Sequence, residues 1–265
     1  MPRYFRQIWA CRYFWLSLVR IDLRARYRRS ILGLGWSLVR PLLFTLVLCV
    51  VFVRIFKVDK PWVYAPFLLS GLTCWDYIVT ATKQGCHSFF QGESYIRQHP
   101  APIAIYPLRT ALTETFHFLV SMVVLLGLAF YCKGTNNPLV LVSLVPTFLL
   151  MFVLVWSWAL LAGFANVYFL DTQHLCDVGF QILFYASPII YETKALGEEP
   201  WWKLRWTVEH FNPLIPFLDL LREPILNEKM PRLETYGMAS LVVLLSAGLA
   251  ALVCWRLQRR VIFQL

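Results

Sequence analysis

Arg24-Ala-Arg-Tyr-Arg-Arg-Ser-Ile-Leu-Gly-Leu-Gly-Trp-Ser-Leu-Val-Arg-Pro41 decides how the rest of the chain is read. Arg24, Arg26, Arg28 and Arg29 stand, with no acid among them, just before an apolar run from Leu42 to Phe56. Basic residues beside a span hold their side of it on the cytoplasmic face and gain roughly 1 kcal/mol each from anionic headgroups. Gly33 and Gly35 give the backbone room to bend, and Pro41 suits the start of a helix. The stretch is therefore expected to be the chain's first entry into a membrane, with the N-terminus inside.

Composition agrees. Of 265 residues, 58% are hydrophobic and 15% charged, with a mean hydropathy of +0.58. A soluble domain carries about 25% charge. The net charge of +10 invites a nucleic-acid reading, but the arginines crowd the membrane flank and form no separate basic domain. No cleavable signal peptide is expected, because the first long apolar run starts near position 41. The seven cysteines form no C-x-x-C pair and read as small hydrophobes rather than ligands or disulfides.

Residues 1–30 read as one amphipathic helix on the membrane surface. Phe5, Trp9, Tyr13, Leu16, Val19, Leu23 and Tyr27 recur at steps of three or four and share a face, while Arg3, Arg6, Arg20, Arg24 and Arg28 supply the charge. Six spans are expected, near 36–57, 62–82, 112–131, 139–166, 175–191 and 236–257, since a helix needs about 20 apolar residues to cross. An even number of spans puts the C-terminus inside too, in keeping with Arg256, Arg259 and Arg260 after the last one. The expected architecture is all-α, with residues 31–265 as the six-span domain.

Two connections are long enough to do more than turn. In the inside loop, Gly92 and Pro100 bracket Glu93, Tyr95, Ile96, Arg97 and His99, predicting a short helix over 91–102 that fits another protein's cleft. Outside, 192–235 is too rich in Trp and Phe for a solvated loop, yet Pro200, Pro213, Pro216 and Pro224 forbid one uninterrupted span. Short re-entrant helices are expected there, since irregular backbone at membrane depth must be buried in protein or line a cavity.

Enzymatic chemistry is hard to find. There is no G-x-x-x-x-G-K-[ST] loop, no His/Cys/carboxylate set with metal spacing and no G-x-S-x-G elbow. Polar residues inside spans carry the information instead, because a charge at the bilayer centre costs ~3 kcal/mol. Glu114 and His117 lie one turn apart and share a face. Asp76 falls in the second span, and Asn166, Asp171, His174, Asp177 and Gln181 form a polar stripe into the fifth. These groups either tie helices together or line a pathway. The aromatics, among them Tyr185, Trp201 and Trp202, either form interfacial belts or offer ring faces along which a glycan slides.

Several stretches together resemble a known family. They are Asp22-Leu-Arg-Ala-Arg-Tyr-Arg-Arg-Ser-Ile-Leu-Gly with Trp36 and Pro41; Phe67-Leu-Leu-Ser-Gly-Leu-Thr-Cys-Trp75; Gln181-Ile-Leu-Phe-Tyr-Ala-Ser-Pro-Ile-Ile-Tyr191; and Asn212-Pro-Leu-Ile-Pro-Phe-Leu-Asp-Leu-Leu-Arg222. In that order they resemble the membrane-spanning subunit of ABC-2 type bacterial polysaccharide exporters, which move lipid-linked O-antigen, teichoic acid and capsule glycans. The resemblance implies six spans, an interface helix, a coupling helix at 91–102, re-entrant helices before the last span, and a homodimer joined to two copies of a separate ATPase. ATP and magnesium would then be bound by that partner, with no cofactor in this chain. The coupling loop departs from the family pattern: Arg97-Gln-His-Pro-Ala-Pro102 stands where relatives often have basic residues followed by an aromatic-Pro-Arg.

The leading expectation is a permease of the inner membrane, both termini cytoplasmic, exporting lipid-linked O-antigen through a pore at its dimer interface. Arg24, Arg26, Arg28 and Arg29 would attract the lipid diphosphate, or serve topology alone. The alternatives are a capsule, teichoic acid, drug or small-lipid exporter, a membrane-embedded glycosyl- or acyltransferase using Glu114 and His117, and a proton-coupled carrier.

Overall fold

The apolar runs fold as helices, and no strand interrupts them among the described residues. A computed structural model describes residues 2–28, 33–55, 61–98, 101–134, 137–191, 212–258 and 260–264. The helices are α1 Pro2–Ala10, α2 Arg12–Tyr27, α3 Trp36–Ile55, α4 Pro61–Gln98, α5 Ile105–Lys133, α6 Leu144–Tyr168, α7 Thr172–Ala186, α8 Ile215–Leu226, α9 Leu233–Leu257 and α10 Val261–Gln264. Short 3-10 turns at Gly33–Gly35 and Pro138–Ser143 lead into α3 and α6.

Among the described residues, three segments are long and apolar enough to cross a membrane: Ile105–Cys132, Pro138–Tyr168 and Leu233–Leu257. A shorter apolar helix runs from Pro41 to Arg54. The exposed faces of these helices are themselves apolar, as at Val123, Leu149 and Leu244, the inverse of a water-soluble bundle.

The bundle is built on α4 against α6. Gly85 and Gly163 face each other, so closely that a Cβ at Gly163 would lie 2.9 Å from the Gly85 carbonyl oxygen. Small residues let two backbones approach, which is how helices gain packing energy where lipid removes the hydrophobic drive. Asn166 closes the contact by donating to the Cys86 carbonyl at 2.9 Å. One core gathers α4, α5, α6 and α8 around Leu68, Ile78, Leu125, Met151 and Phe217. A second joins α1, the end of α4, the start of α5, α6 and α9 around Ile8, Phe89, Tyr106, Phe164 and Cys254.

Several expectations are corrected here. Residues 1–30 do not form one helix: the chain turns at Cys11, where Trp15 Nε1 donates to the Ile8 carbonyl. On the predicted apolar face Phe5, Trp9, Tyr13 and Leu16 are exposed, whereas Val19 is buried together with Ile8 and Leu18. Pro41 lies inside α3, five positions after its start at Trp36, because the left-handed Gly33 (φ 49°) makes the turn first.

Nor is the 91–102 element a separate helix. α4 continues for 38 residues through Gly92 to Gln98, and at about 1.5 Å per residue it outreaches the roughly 30 Å hydrocarbon layer. Gly92 does not break the helix because the Tyr106 ring covers its bare Cα, where a Cβ would collide with the ring. The fifth expected span, 175–191, is helical only to Ala186; Ser187 onward is a turn.

Candidate functional site

α3 packs loosely beside α4, α5 and α7 and leaves two adjoining cavities that share Trp36, Pro41 and Asp76. The first, of about 360 Å³, is lined by Arg26, Tyr77, Thr80, Glu114 and His117 among others. The second, of about 720 Å³, sets Lys83, Asp177 and Gln181 among Trp75, Phe184 and Tyr185. Together they form a cleft with ionisable groups on an aromatic wall.

Three ion pairs join helices around this cleft. Arg26 of α2 reaches Glu114 of α5 at 2.9 Å; Glu114 is buried, whereas the arginine side chain keeps 38% of its exposure on the cavity side. Asp22 of α2 is gripped by both Nε and Nη2 of Arg109, again on α5. A pair of ion bridges of opposite polarity thus straps the interface helix to the start of α5. Lys83 of α4 meets Asp177 of α7 at 2.5 Å across the second cavity. In a low-dielectric surrounding such pairs hold only because both charges are matched. Tyr77 stacks on Phe118 at 4.5 Å and shares a hydrogen bond with Thr115 at 2.7 Å. Trp75 meets Phe180 and Phe184 edge-on. The cleft offers ring faces and distributed hydrogen-bonding groups in place of one enclosed binding pocket.

Above this cleft the turn after α7 is pinned by α8. Arg222, buried on α8, donates to the carbonyls of Pro188 at 2.6 Å and Ile189 at 3.0 Å, and its guanidinium lies 3.8 Å over the Phe67 ring. Tyr64 takes the next carbonyl, that of Ile190, at 2.6 Å. Asn212 donates to Ser187 Oγ at 2.7 Å and accepts from the Leu214 N–H. The carbonyls of the turn that follows α7 are thus satisfied by side chains from α4 and α8. Ten of the twelve residues of α8 are buried, which suits a short helix enclosed in protein.

The structure treats the sequence candidates unequally. Glu114 and His117 share a cavity, but Glu114 is paired with Arg26, one of the arginines expected to attract a lipid diphosphate or serve topology. Arg24 and Arg28 are exposed, and Arg29 lies outside the described residues. Tyr185 lines the second cavity, while Trp201 and Trp202 lie outside the described residues. Of the polar stripe, Asp177 and Gln181 face the cleft; Asn166 ties α6 to α4 instead. At the end of α4, Glu93 and Arg97 bond to each other at 2.9 Å, Tyr95 packs edge-on against Phe14, and Ile96 is buried in the second core. His99 lies outside the described residues.

Lys83, Arg222 and the Asp22–Arg109 pair were not anticipated as site groups. Arg222 and Asp22 do end and begin two of the stretches that carry the family resemblance, and that was the available signal. Three of those four stretches meet at Arg222, through Phe67, Pro188 and Asn212's contact with Ser187.

Comparison with known proteins points the same way. The ABC-2 type transporter family pattern matches residues 13–226. An O-antigen export system permease protein RfbA from Klebsiella pneumoniae is 26% identical over 78% of this chain and 77% of its own length. Another, from Myxococcus xanthus, is 26% identical over 88% of both chains. The polysialic acid transport protein KpsM of Escherichia coli is 23% identical over 77% of this chain and 78% of its own. On the extent of the match, the chain belongs to the ABC-2 type transporter family of membrane proteins.

Proposed function

We propose that the chain is the permease half of an ATP-driven exporter that moves a lipid-linked polysaccharide, O-antigen in the first instance, across the bacterial inner membrane. The observation that carries the reading is the nearly end-to-end likeness to O-antigen permeases. The aromatic and ionisable cleft between α3, α4, α5 and α7 supplies a route suited to sugars. α3, the first half of α4, α5, α6, α7 and α9 make six spans in this reading, with both termini cytoplasmic. α1 and α2 lie at the interface, and α8 is a re-entrant helix. Two copies would enclose the pore with their α3 and α7 faces. Along α7, Leu175, Val178, Ile182 and Tyr185 repeat at helical spacing and are all more than 60% exposed.

ATP and magnesium belong to a separate ATPase, two copies per dimer, which docks on the end of α4. Glu93, Tyr95 and Arg97, with His99 just beyond, are the contact candidates. Because α4 is continuous from that end to the cleft wall, a push there would tilt Asp76 and Lys83 directly, switching the bundle between two packings. The polysialic acid relative favours a second reading, export of a capsule polymer by the same mechanism.

The test is a pull-down from mild detergent, comparing wild type with a Tyr95→Ala, Arg97→Ala double variant. The ATPase should be recovered with wild type and much less with the variant. Equal recovery moves the contact off α4; no ATPase with an intact dimer rejects the exporter.

A further inference from the structure

A third cavity lies away from the cleft, where α1 meets α6 and α9. It has a volume of about 360 Å³ and is walled by Phe5 and Ile8, by Trp156 and Leu160, and by Ala247 and Ala251 with their neighbours. Apart from Trp255 and Gln258, its polar groups are already used. Tyr4 Oη accepts from the Ala104 N–H at 3.3 Å and shares a contact with Cys254 Sγ at 3.5 Å. Trp156 Nε1 donates to the Ala104 carbonyl, and Ser157 Oγ donates to the Val153 carbonyl at 2.7 Å. With those groups engaged within the protein, the inner walls of the cavity present hydrocarbon. A polar ligand would find nothing to bond, whereas an acyl chain gains by burial.

The mouth has the opposite character. Trp255 and Gln258 line it at the end of a membrane-length helix, where an indole sits at headgroup level. Arg256 and Arg260 are exposed beside them, and Arg6 is exposed on α1. Neither residues 1–21 nor residues 235–265 contain an Asp or Glu, so neither terminal segment offsets these cations. An oily slot under an uncompensated basic rim complements one ligand chemistry.

We infer that this cavity holds an anionic phospholipid, one acyl chain seated between α6 and α9 and its phosphate among Arg256, Arg260 and Arg6. The lipid seals α1 against the bundle and is structural, distinct from the transported lipid, whose proposed cleft lies between other helices.

The experiment is native mass spectrometry of the purified chain titrated with dioleoyl-phosphatidylglycerol or dioleoyl-phosphatidylcholine. Wild type should retain one phosphatidylglycerol per chain in preference to phosphatidylcholine. Ala247→Phe with Ala251→Phe, which fills the slot, should abolish that retention. Arg256→Gln and Arg260→Gln leave the packing alone and should each weaken it about fivefold. Equal retention of both lipids by wild type, or unchanged retention in the charge variants, overturns the assignment. So does preferential displacement of phosphatidylglycerol by a polyprenyl diphosphate, or loss of self-association as the sole effect of filling the slot, which would give the cavity to a second copy.

Discussion

Glu114 and Arg26 are not equivalent partners. The carboxylate is buried and the guanidinium keeps a wet side, so removing the arginine strands a charge where removing the carboxylate does not. Arg26→Ala should therefore lower stability by about 2–3 kcal/mol, and Glu114→Gln by roughly 1 kcal/mol or less. Thermal unfolding in detergent checks the order, and the reverse order would mean that Glu114 has another support. The glycines make a second contrast. A Cβ at Gly85 would lie 2.5 Å from the Ala159 Cα, whereas one at Gly127 meets nothing within 4 Å. Gly85→Ala should wedge α4 from α6 and cost about 1–3 kcal/mol, while Gly127→Ala should be neutral or stabilising by up to about 1 kcal/mol. At this scale the sequence was partly legible. That Glu114 needs a partner could be read from a carboxylate in an apolar run, but which partner could not. Arg26 sits on a different helix, and local spacing pairs Glu114 only with His117.

The elements were clearer than their ends. Long apolar runs, whose length and hydropathy alone decide a span, fixed the Pro138–Tyr168 and Leu233–Leu257 segments to within about three residues of expectation, whereas α5 begins at Ile105, ahead of the expected 112. Boundaries set by tertiary contact were not legible. Gly92 reads as a breaker until Tyr106 is known to cover it, and residues 1–30 read as one helix until Trp15 is seen to reach back across the Cys11 turn to the Ile8 carbonyl. α8 was anticipated as a short helix, though not as a clamp. Since Arg222 reaches two carbonyls of the 188–189 turn and stacks on Phe67, Lys, with one point charge, cannot reproduce it. Arg222→Lys should leave ATPase pull-down intact and reduce export at least tenfold, with faster proteolysis near residue 190. Full export by Arg222→Lys would show that the clamp only fills space.

On the whole-molecule scale, the family, the membrane and the all-helical build were legible because four dispersed stretches agreed in order. The cleft was not, since it is a gap between α3 and three helices distant in sequence. Its ion pair gives the account a mechanical test: Lys83 and Asp177 join α4 to α7, so exchanging them as Lys83→Asp with Asp177→Lys should restore export that either single reversal reduces. No restoration would detach the pair from the transport cycle.

The most direct measurement is surface glycan in cells deleted for this chain, scored beside the internal pool. The account predicts that lipid-linked polysaccharide is still made, accumulates inside and disappears from the surface, and that wild type restores it. Unchanged surface glycan, or loss of synthesis with no internal pool, would contradict a permease of polysaccharide export.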